Sequence, residues 1–427
     1  METATQVAPV AESLRSIALA EVVTKFALGA TYRQDGDVVR ISFEGEVVLM
    51  HQEDFDLVRR ATLKVKSKIP RKVTPGTVIK LVGEAQAALS EEIFKPGAIR
   101  VLYYAVQSKA SAFYRCLMPM YALNMGGKAV SHASRARFGR EALNYDVVVM
   151  QIENSPSAIE FASTLQAQGK KVVYEIDDAF DCLEPWHPQY ASYSQPERQD
   201  AVRSMLAKAD AVQVSTPWLA ARYSDVAKRV EVIPNMIELA AWPPAERLRR
   251  DGRWKVLWAG SPSHAGDLEV VIPALGAFAK AHPDVTIVFF GQTVKDDRLP
   301  ADQVETIDFC EFEEYPIKLA AIDADVAIAP LTDVLFNRGK SNLRILQYWA
   351  TGYPVIASDV GPYREIKNGV DGLLCTEPDS WLACLEMTYR NDKICKRLSA
   401  AGQESVKAYD VLRNSKKIEE FYSSLVR

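Results

Sequence analysis

The residues best suited to chemistry lie between Asn337 and Pro354, where a lysine, an arginine and a glutamine recur at helical spacing. Lys340, Arg344 and Gln347 fall at i, i+4 and i+7, so one helix would carry all three on a polar face, with Leu343, Leu346 and Ala350 on its buried stripe. A lysine at a helix start adds its charge to the positive end of the helix dipole, which suits a diphosphate. Gly352 and Pro354 would close that helix. On spacing alone a solvated helix face is an equal reading. A second stretch, Gly260-Ser261-Pro262-Ser263-His264, follows the apolar run Lys255 to Ala259. Small residues that open a helix offer N–H groups to phosphate, although a tight turn explains them too.

Two further groups stand after apolar runs, where open parallel sheets bind ligands: Ser111 to Arg115, and the pair Asp177-Asp178. Adjacent aspartates in extended chain point apart. One is therefore expected to cap a helix, and the other, Asp178, to meet acceptor or sugar hydroxyls, with Arg115 a companion candidate. His187 and His264 are single histidines with a structural or surface role as the plain reading; His264 gains from lying near Ser261.

The elements that must position these residues follow an alternating rhythm from Ala98 onward. Arg100 to Ala105, Asp146 to Met150, Lys171 to Ile176, Ala211 to Ser215 and Val230 to Ile233 read as buried strands. Helix-length stretches such as Ser157 to Gln168 and Gln199 to Ala209 separate them. Pro234 to Arg253 interrupts the rhythm as a linker, and the strands resume at Lys255 to Ala259, Val285 to Phe290, Val326 to Ala329 and Val355 to Ala357. Strand and helix in alternation specify α/β folding with parallel sheets. Two such units would face each other across a cleft, where a ligand site is expected. Residues 1–95 read as a small α+β module: a helix through Leu14, Ala18, Val22 and Phe26, strands Val38 to Phe43 and Val47 to Met50, a strand Leu63 to Ile69, and a helix near Thr77 to Ser90. The expected division is 1–95, 96–245, 246–405, and a C-terminal helix in 406–427 that packs back across the lobes.

Composition narrows the classes. The chain has 427 residues, 48% hydrophobic and 25% charged, which is ordinary for globular domains and excludes disordered and fibrous classes. No apolar run reaches the ~18 residues of a spanning helix, and Glu2 and Glu12 stand where a signal peptide would carry lysine or arginine. The six cysteines are scattered without a CxxC pair. Reduced thiols, a cytoplasmic setting and no metal site are the expectation. The net charge is -4, yet the window from Arg59 to Lys80 holds eight basic residues and no acid. Lys64, Lys66, Lys68, Arg71 and Lys72 are its candidate contacts to a polyanion, with a solvated basic face as the alternative.

The run Phe336-Asn337-Arg338-Gly339-Lys340-Ser341, the segment Ala357-Ser358-Asp359-Val360-Gly361-Pro362-Tyr363-Arg364-Glu365-Ile366, and Asn368 to Leu374 together resemble glycosyltransferase family 4. Trp258-Ala259-Gly260-Ser261, Val232-Ile233-Pro234-Asn235, Ala209-Asp210 and Ser215-Thr216 extend the likeness over roughly residues 98–427. The resemblance implies the GT-B fold of two Rossmann-like domains facing a cleft, with the donor mainly on the second, and transfer that retains anomeric configuration. It implies that Gly260 and Ser261 contact the donor diphosphate, that Lys340 neutralises it as it leaves, and that Gly361, Pro362 and Tyr363 lie near the donor. His264, Ser341, Arg344 and Gln347 complete that donor set. Glu365 is a further catalytic candidate that a helix-capping role would also explain.

The chain departs from the family pattern at three places. Gln347 stands where the family's second glutamate binds a ribose, and Gly339 where the first would be. No histidine occupies the strand end that the resemblance would give one; Gln151 and Glu153 stand nearby. Two readings follow. One is a transferase using a nucleotide-diphosphate sugar as co-substrate, with no further cofactor and with an acceptor on nucleic acid, a glycan or a lipid surface. The other is a catalytically silent subunit of the same fold.

Overall fold

The computed structural model describes residues 31–35, 38–43, 46–51, 58–60, 62, 98–105, 110–126, 129–134, 138–246, 248–249, 251–310 and 314–427. Lys64, Lys66, Lys68, Arg71 and Lys72 lie outside them, as do the expected helices 14–26 and 77–90 and the strand 63–69. By contact density the chain divides into two units: Met1–Glu175, Met205–Val212 and Asn414–Arg427 form one, Ile176–Ser204 and Gln213–Arg413 the other.

Strands β1 (Thr31–Asp35), β2 (Val38–Phe43) and β3 (Glu46–His51) make an antiparallel sheet in which Thr31 faces Ser42 and Val38 faces His51. β1 has no clear signal in the sequence because Arg33, Gln34 and Asp35 interrupt any alternation.

Next come β4 (Ile99–Tyr104), β5 (Ala129–Ser134), β6 (Val147–Gln151), β7 (Lys171–Ile176), β8 (Ala211–Val214) and β9 (Val230–Val232), ordered β5-β4-β6-β7-β8-β9. The pairings β4 with β5, β4 with β6 and β6 with β7 are parallel. β6 is buried along its whole length, which explains its unbroken valine run. β5, Ala-Val-Ser-His-Ala-Ser, escapes an apolar-run criterion. The helix Pro156–Ala167 starts where the Ser155 hydroxyl accepts from the Ala158 N–H at 3.2 Å, with proline in the first turn. In the same unit the C-terminal helix Ser415–Val426 buries Tyr422, whose hydroxyl accepts a hydrogen bond from Tyr103 at 3.1 Å.

The second unit is centred on β10 (Trp254–Ala259), β11 (Val285–Phe290), β12 (Val304–Ile307), β13 (Val326–Ala329), β14 (Val355–Ser358) and β15 (Leu373–Cys375), ordered β12-β11-β10-β13-β14-β15. The strand pairings are parallel, and the core on one face is filled by Trp254, Trp258, Phe278, Phe289, Trp381 and Leu385. Chain order runs outward in both directions from β10 and β13. The crevice beyond their carboxyl ends is thus the switch point at which such sheets bind ligands.

Candidate functional site

The loops after β10, β13 and β14 converge on the helix Leu343–Thr351. Its first turn begins three residues later than the spacing suggested. Lys340 precedes the helix, its N–H donating to Asn337 O at 3.2 Å, so Lys340, Arg344 and Gln347 do not share one helical face. Nor is the helix a solvated surface element: Arg344, Ile345, Leu346, Tyr348, Trp349, Ala350 and Thr351 are all buried. It ends where Gly352 adopts φ 84°, the left-handed conformation a helix stop demands. Two anchors fix its position. The Tyr348 hydroxyl accepts from the Ala259 N–H at 2.8 Å, tying the helix to the end of β10, and Trp349 Nε1 donates to Asp371 O at 2.8 Å.

Fixing Tyr348 under Ala259 fixes Arg344 one turn earlier, beneath the next residue, Gly260. The guanidinium lies 5.4 Å from the Trp258 ring, and a Cβ added to Gly260 would meet Arg344 Nη2 at 2.8 Å. Arg344 is 8% exposed and joins no ion pair among the described residues; its Nη1 has no hydrogen-bond partner there. Burial opposes its charge, while Tyr363, Tyr348 and Asp267 nearby favour it. A buried, incompletely satisfied cation is costly to hold without an anion.

Asp267 organises the surroundings. This fully buried carboxylate accepts from His264 Nδ1 at 2.9 Å, from Asn337 Nδ2 at 2.7 Å and from the Thr332 N–H at 3.0 Å. It therefore joins the loop after β10 to the loop after β13. Burial alone would raise its carboxyl pKa, but His264, the Thr332 N–H and Arg344 outweigh burial and hold it below the ordinary value. Burial first, then Arg344 and Lys340, push the His264 imidazole down to about 3. A neutral ring whose Nδ1 faces an ionised carboxylate carries its proton there and leaves Nε2 as an acceptor.

Lys340 Nζ stands 3.2 Å from Asp178 Oδ2 and 4.4 Å from the Phe336 ring centre. The side of that ring also meets His187, whose imidazole is shifted down by burial and by Lys340. Asp178 thus engages a lysine. The expected helix cap is absent, because Ala179 precedes the single turn Phe180–Cys182. Ser341 Oγ accepts from Asn235 Nδ2 at 2.8 Å, and Thr216 Oγ1 donates to Gly339 O at 3.2 Å. Gly339 faces Trp218, where an added Cβ would come within 3.0 Å of the indole. Gly361 adopts φ 53°, where an added Cβ would meet the backbone of Asn337 and Arg338, and Tyr363 behind it is buried, its phenol pushed up by burial against the opposing charge of Arg344.

The second unit therefore gathers Gly260, Ser261, His264, Lys340, Ser341, Arg344, Gly361, Pro362, Tyr363 and Asp178 around the β10 and β13 ends. Gln347 is the next helical turn on, its Oε1 accepting from the Tyr315 hydroxyl at 3.5 Å. Glu365 caps no helix; its Oε2 accepts from Asn342 Nδ2 at 2.5 Å and from the Tyr409 hydroxyl at 2.6 Å. Arg115 belongs to the first unit, fully enclosed, with Nε 2.6 Å from Glu175 Oε1. Asp267 left no periodic trace in the sequence, and Asn337 and Asn235, though they stand in the segments that carry the resemblance, had no role assigned there. The six cysteines are free thiols, and no group of three metal-ligating side chains occurs among the described residues. No helix there is long and apolar enough to cross a membrane.

Residues 253–391 match the family of group 1 glycosyl transferases. Glycogen synthase from Mycobacterium tuberculosis is 28% identical over 192 residues, 42% of this chain and 45% of that protein, so the match spans less than half of its length. Among solved structures, sucrose-phosphate synthase from Thermosynechococcus elongatus superposes with a TM-score of 0.56 at 16% identity, covering 77% of this chain and 99% of that one. HepE from Anabaena, solved in complex with UDP and glucose, gives 0.56 at 16% identity over 76% of this chain and all of that one (100%). These likenesses establish the GT-B fold of two Rossmann-like α/β domains.

Proposed function

We propose, from a GT-B chain whose residues 253–391 form a group 1 glycosyl transferase domain, that this protein transfers a sugar from a nucleotide-diphosphate sugar to an acceptor hydroxyl. Arg344 carries this reading: a buried guanidinium with an unmet N–H, directly beneath Gly260, calls for an anion at the β10 loop. The donor diphosphate would lie between the Gly260-Ser261 backbone, Arg344 and Lys340. HepE was solved with UDP and glucose, and this chain shares its fold.

In this reading the bond from the sugar C1 to the diphosphate oxygen breaks and its electron pair leaves with the phosphate. Arg344 and Lys340 stabilise that growing charge, which lowers the barrier more than it stabilises the bound substrate. The acceptor oxygen attacks from the face that the phosphate leaves, and its proton passes to the departing phosphate oxygen. Retention follows, and no protein base is required. Asp178 holds the Lys340 ammonium in place until the diphosphate competes for it. His264, neutral and with Nε2 as acceptor, suits a sugar hydroxyl better than a phosphate.

Gly339 and Gln347 support a second reading, a silent subunit that binds a nucleotide sugar without turnover. Trp218 occupies the space that a side chain at position 339 would need. Calorimetric titration with UDP, GDP and ADP tests the shared premise. One of the three is expected to bind, and Arg344→Met and Lys340→Ala each to weaken it by roughly 10- to 100-fold, the loss of one charge-assisted contact. Wild-type protein that binds none of them would remove both readings.

A further inference from the structure

The segment Ile176–Ser204 belongs by contact to the second unit, and three of its side chains touch the loops after β10 and β13. Asp178 Oδ2 is 3.2 Å from Lys340 Nζ, and both side chains are largely shielded, at 24% and 15% exposed. The Trp186 indole presents its face to Gly266, where an added Cβ would meet ring atoms at 2.8 to 3.0 Å. The His187 ring meets the Phe336 ring edge-on at 5.1 Å. A separate set of contacts holds the root of the segment: Ser215 Oγ donates to Asp177 O at 3.0 Å, the Tyr223 hydroxyl donates to Asp178 O at 3.2 Å, and Arg222 pairs with Asp181 at 2.6 Å. Beyond that root the segment is held more weakly. Trp186 is 40% exposed and rests on a residue without a side chain. Chain held by few buried contacts is the first to open locally.

We propose that Asp178 to His187 form a strap that closes the donor loops, with the Asp178 carboxylate as an internal competitor of the donor diphosphate at Lys340. This rests on the donor reading and adds the control of that site. A diphosphate meets an ammonium that one carboxylate already neutralises, so it either displaces Asp178 or lies against its charge. Asp178 weakens binding in both cases. A carboxylate that served only to aim the lysine, or to hold a sugar hydroxyl, would strengthen it, so the sign of the effect separates the roles. Displacing Asp178 also removes the ionic tie of the strap to Lys340. Asp181 is committed to Arg222 and does not replace it, and burial together with Lys340 shifts the His187 imidazole down, away from a charged form. Trp186 and His187 are then held over the loops by ring contacts, and the indole lifts from Gly266 as the diphosphate enters.

Calorimetric titration of the full chain with UDP, GDP, ADP and inorganic pyrophosphate tests the competition. Asp178→Asn and Asp178→Ala are each expected to bind pyrophosphate and at least one nucleotide roughly three- to tenfold more tightly than wild type, the loss of one partly screened ion pair. Adding Arg344→Met to the Asp178→Asn chain should cancel the gain, which places it at the donor loops. Acrylamide quenching of tryptophan fluorescence follows the strap, with the difference between wild type and Trp186→Phe isolating the one indole. Saturating pyrophosphate should increase the quenching of that component and shift its emission to the red. If wild type binds but both Asp178 variants bind no more tightly, or if the Trp186 component is unchanged by the ligand, the strap is overturned while the donor reading stands. If neither wild type nor variant binds any of the four, the donor reading falls and the strap with it.

Discussion

At the scale of single residues, the site depends on how charge is held away from water. His264 is the clearest case for a pH measurement. Its folded pKa near 3 lies below the ordinary 6.5, so between these values the unfolded chain takes up a proton that the folded chain does not. Stability from this group is complete above pH 6.5 and is lost as pH falls toward 3. His264→Gln should therefore flatten the decline of melting temperature between pH 6.5 and 4, and an unchanged slope would show that the imidazole is not held neutral. Gln347 gives a second prediction. A carboxylate there would bind a ribose hydroxyl through a charge-assisted bond, so Gln347→Glu is expected to tighten nucleoside diphosphate binding by roughly three- to tenfold by titration. Gly339→Glu should not help, since Trp218 fills the space. Lys340 and Arg344 were legible as residue types. Their relation was not, because the helix starts at Leu343 and its buried face includes the arginine.

Elements place these residues through a few buried contacts. Tyr348 holds the Leu343–Thr351 helix against both central strands, accepting from Ala259 N–H and donating to Ile328 O at 3.4 Å. Tyr348→Phe would orphan the Ala259 N–H in the core and is expected to cost about 1–3 kcal/mol in chemical denaturation. Donor affinity should fall with it, because Arg344 rides on the same helix. The strands themselves were readable wherever they are buried on both faces: β7, β11 and β13 follow the apolar runs residue for residue. β5, β12 and β15 were not, since Ala-Val-Ser-His-Ala-Ser, Val-Glu-Thr-Ile and Leu-Leu-Cys are too polar or too short to stand out. Hydrogen bonds between loops, such as those converging on Asp267, have no sequence period and emerge only in three dimensions.

For the whole molecule, the alternating rhythm of strands and helices carried the fold class, and the segments around Lys340 and Gly361 carried the family resemblance. The acceptor was not legible in either. A polyanion is suggested only by the charge of the window from Arg59 to Lys80. If that window steers the chain to nucleic acid, changing Lys64, Lys66 and Lys68 to glutamate should abolish retention on duplex DNA at low salt. Retention equal to wild type, or none by wild type, would leave a glycan or lipid acceptor. Sugar transfer driven by cationic side chains at the β10 and β13 ends would appear as release of nucleoside diphosphate from UDP-, GDP- and ADP-glucose, measured in the presence of EDTA for wild type and for Arg344→Met. We expect turnover of at least one donor, unaffected by the chelator, with kcat/KM reduced at least ~100-fold in a variant that still folds. No turnover of any donor, or an Arg344→Met enzyme as active as wild type, would contradict it.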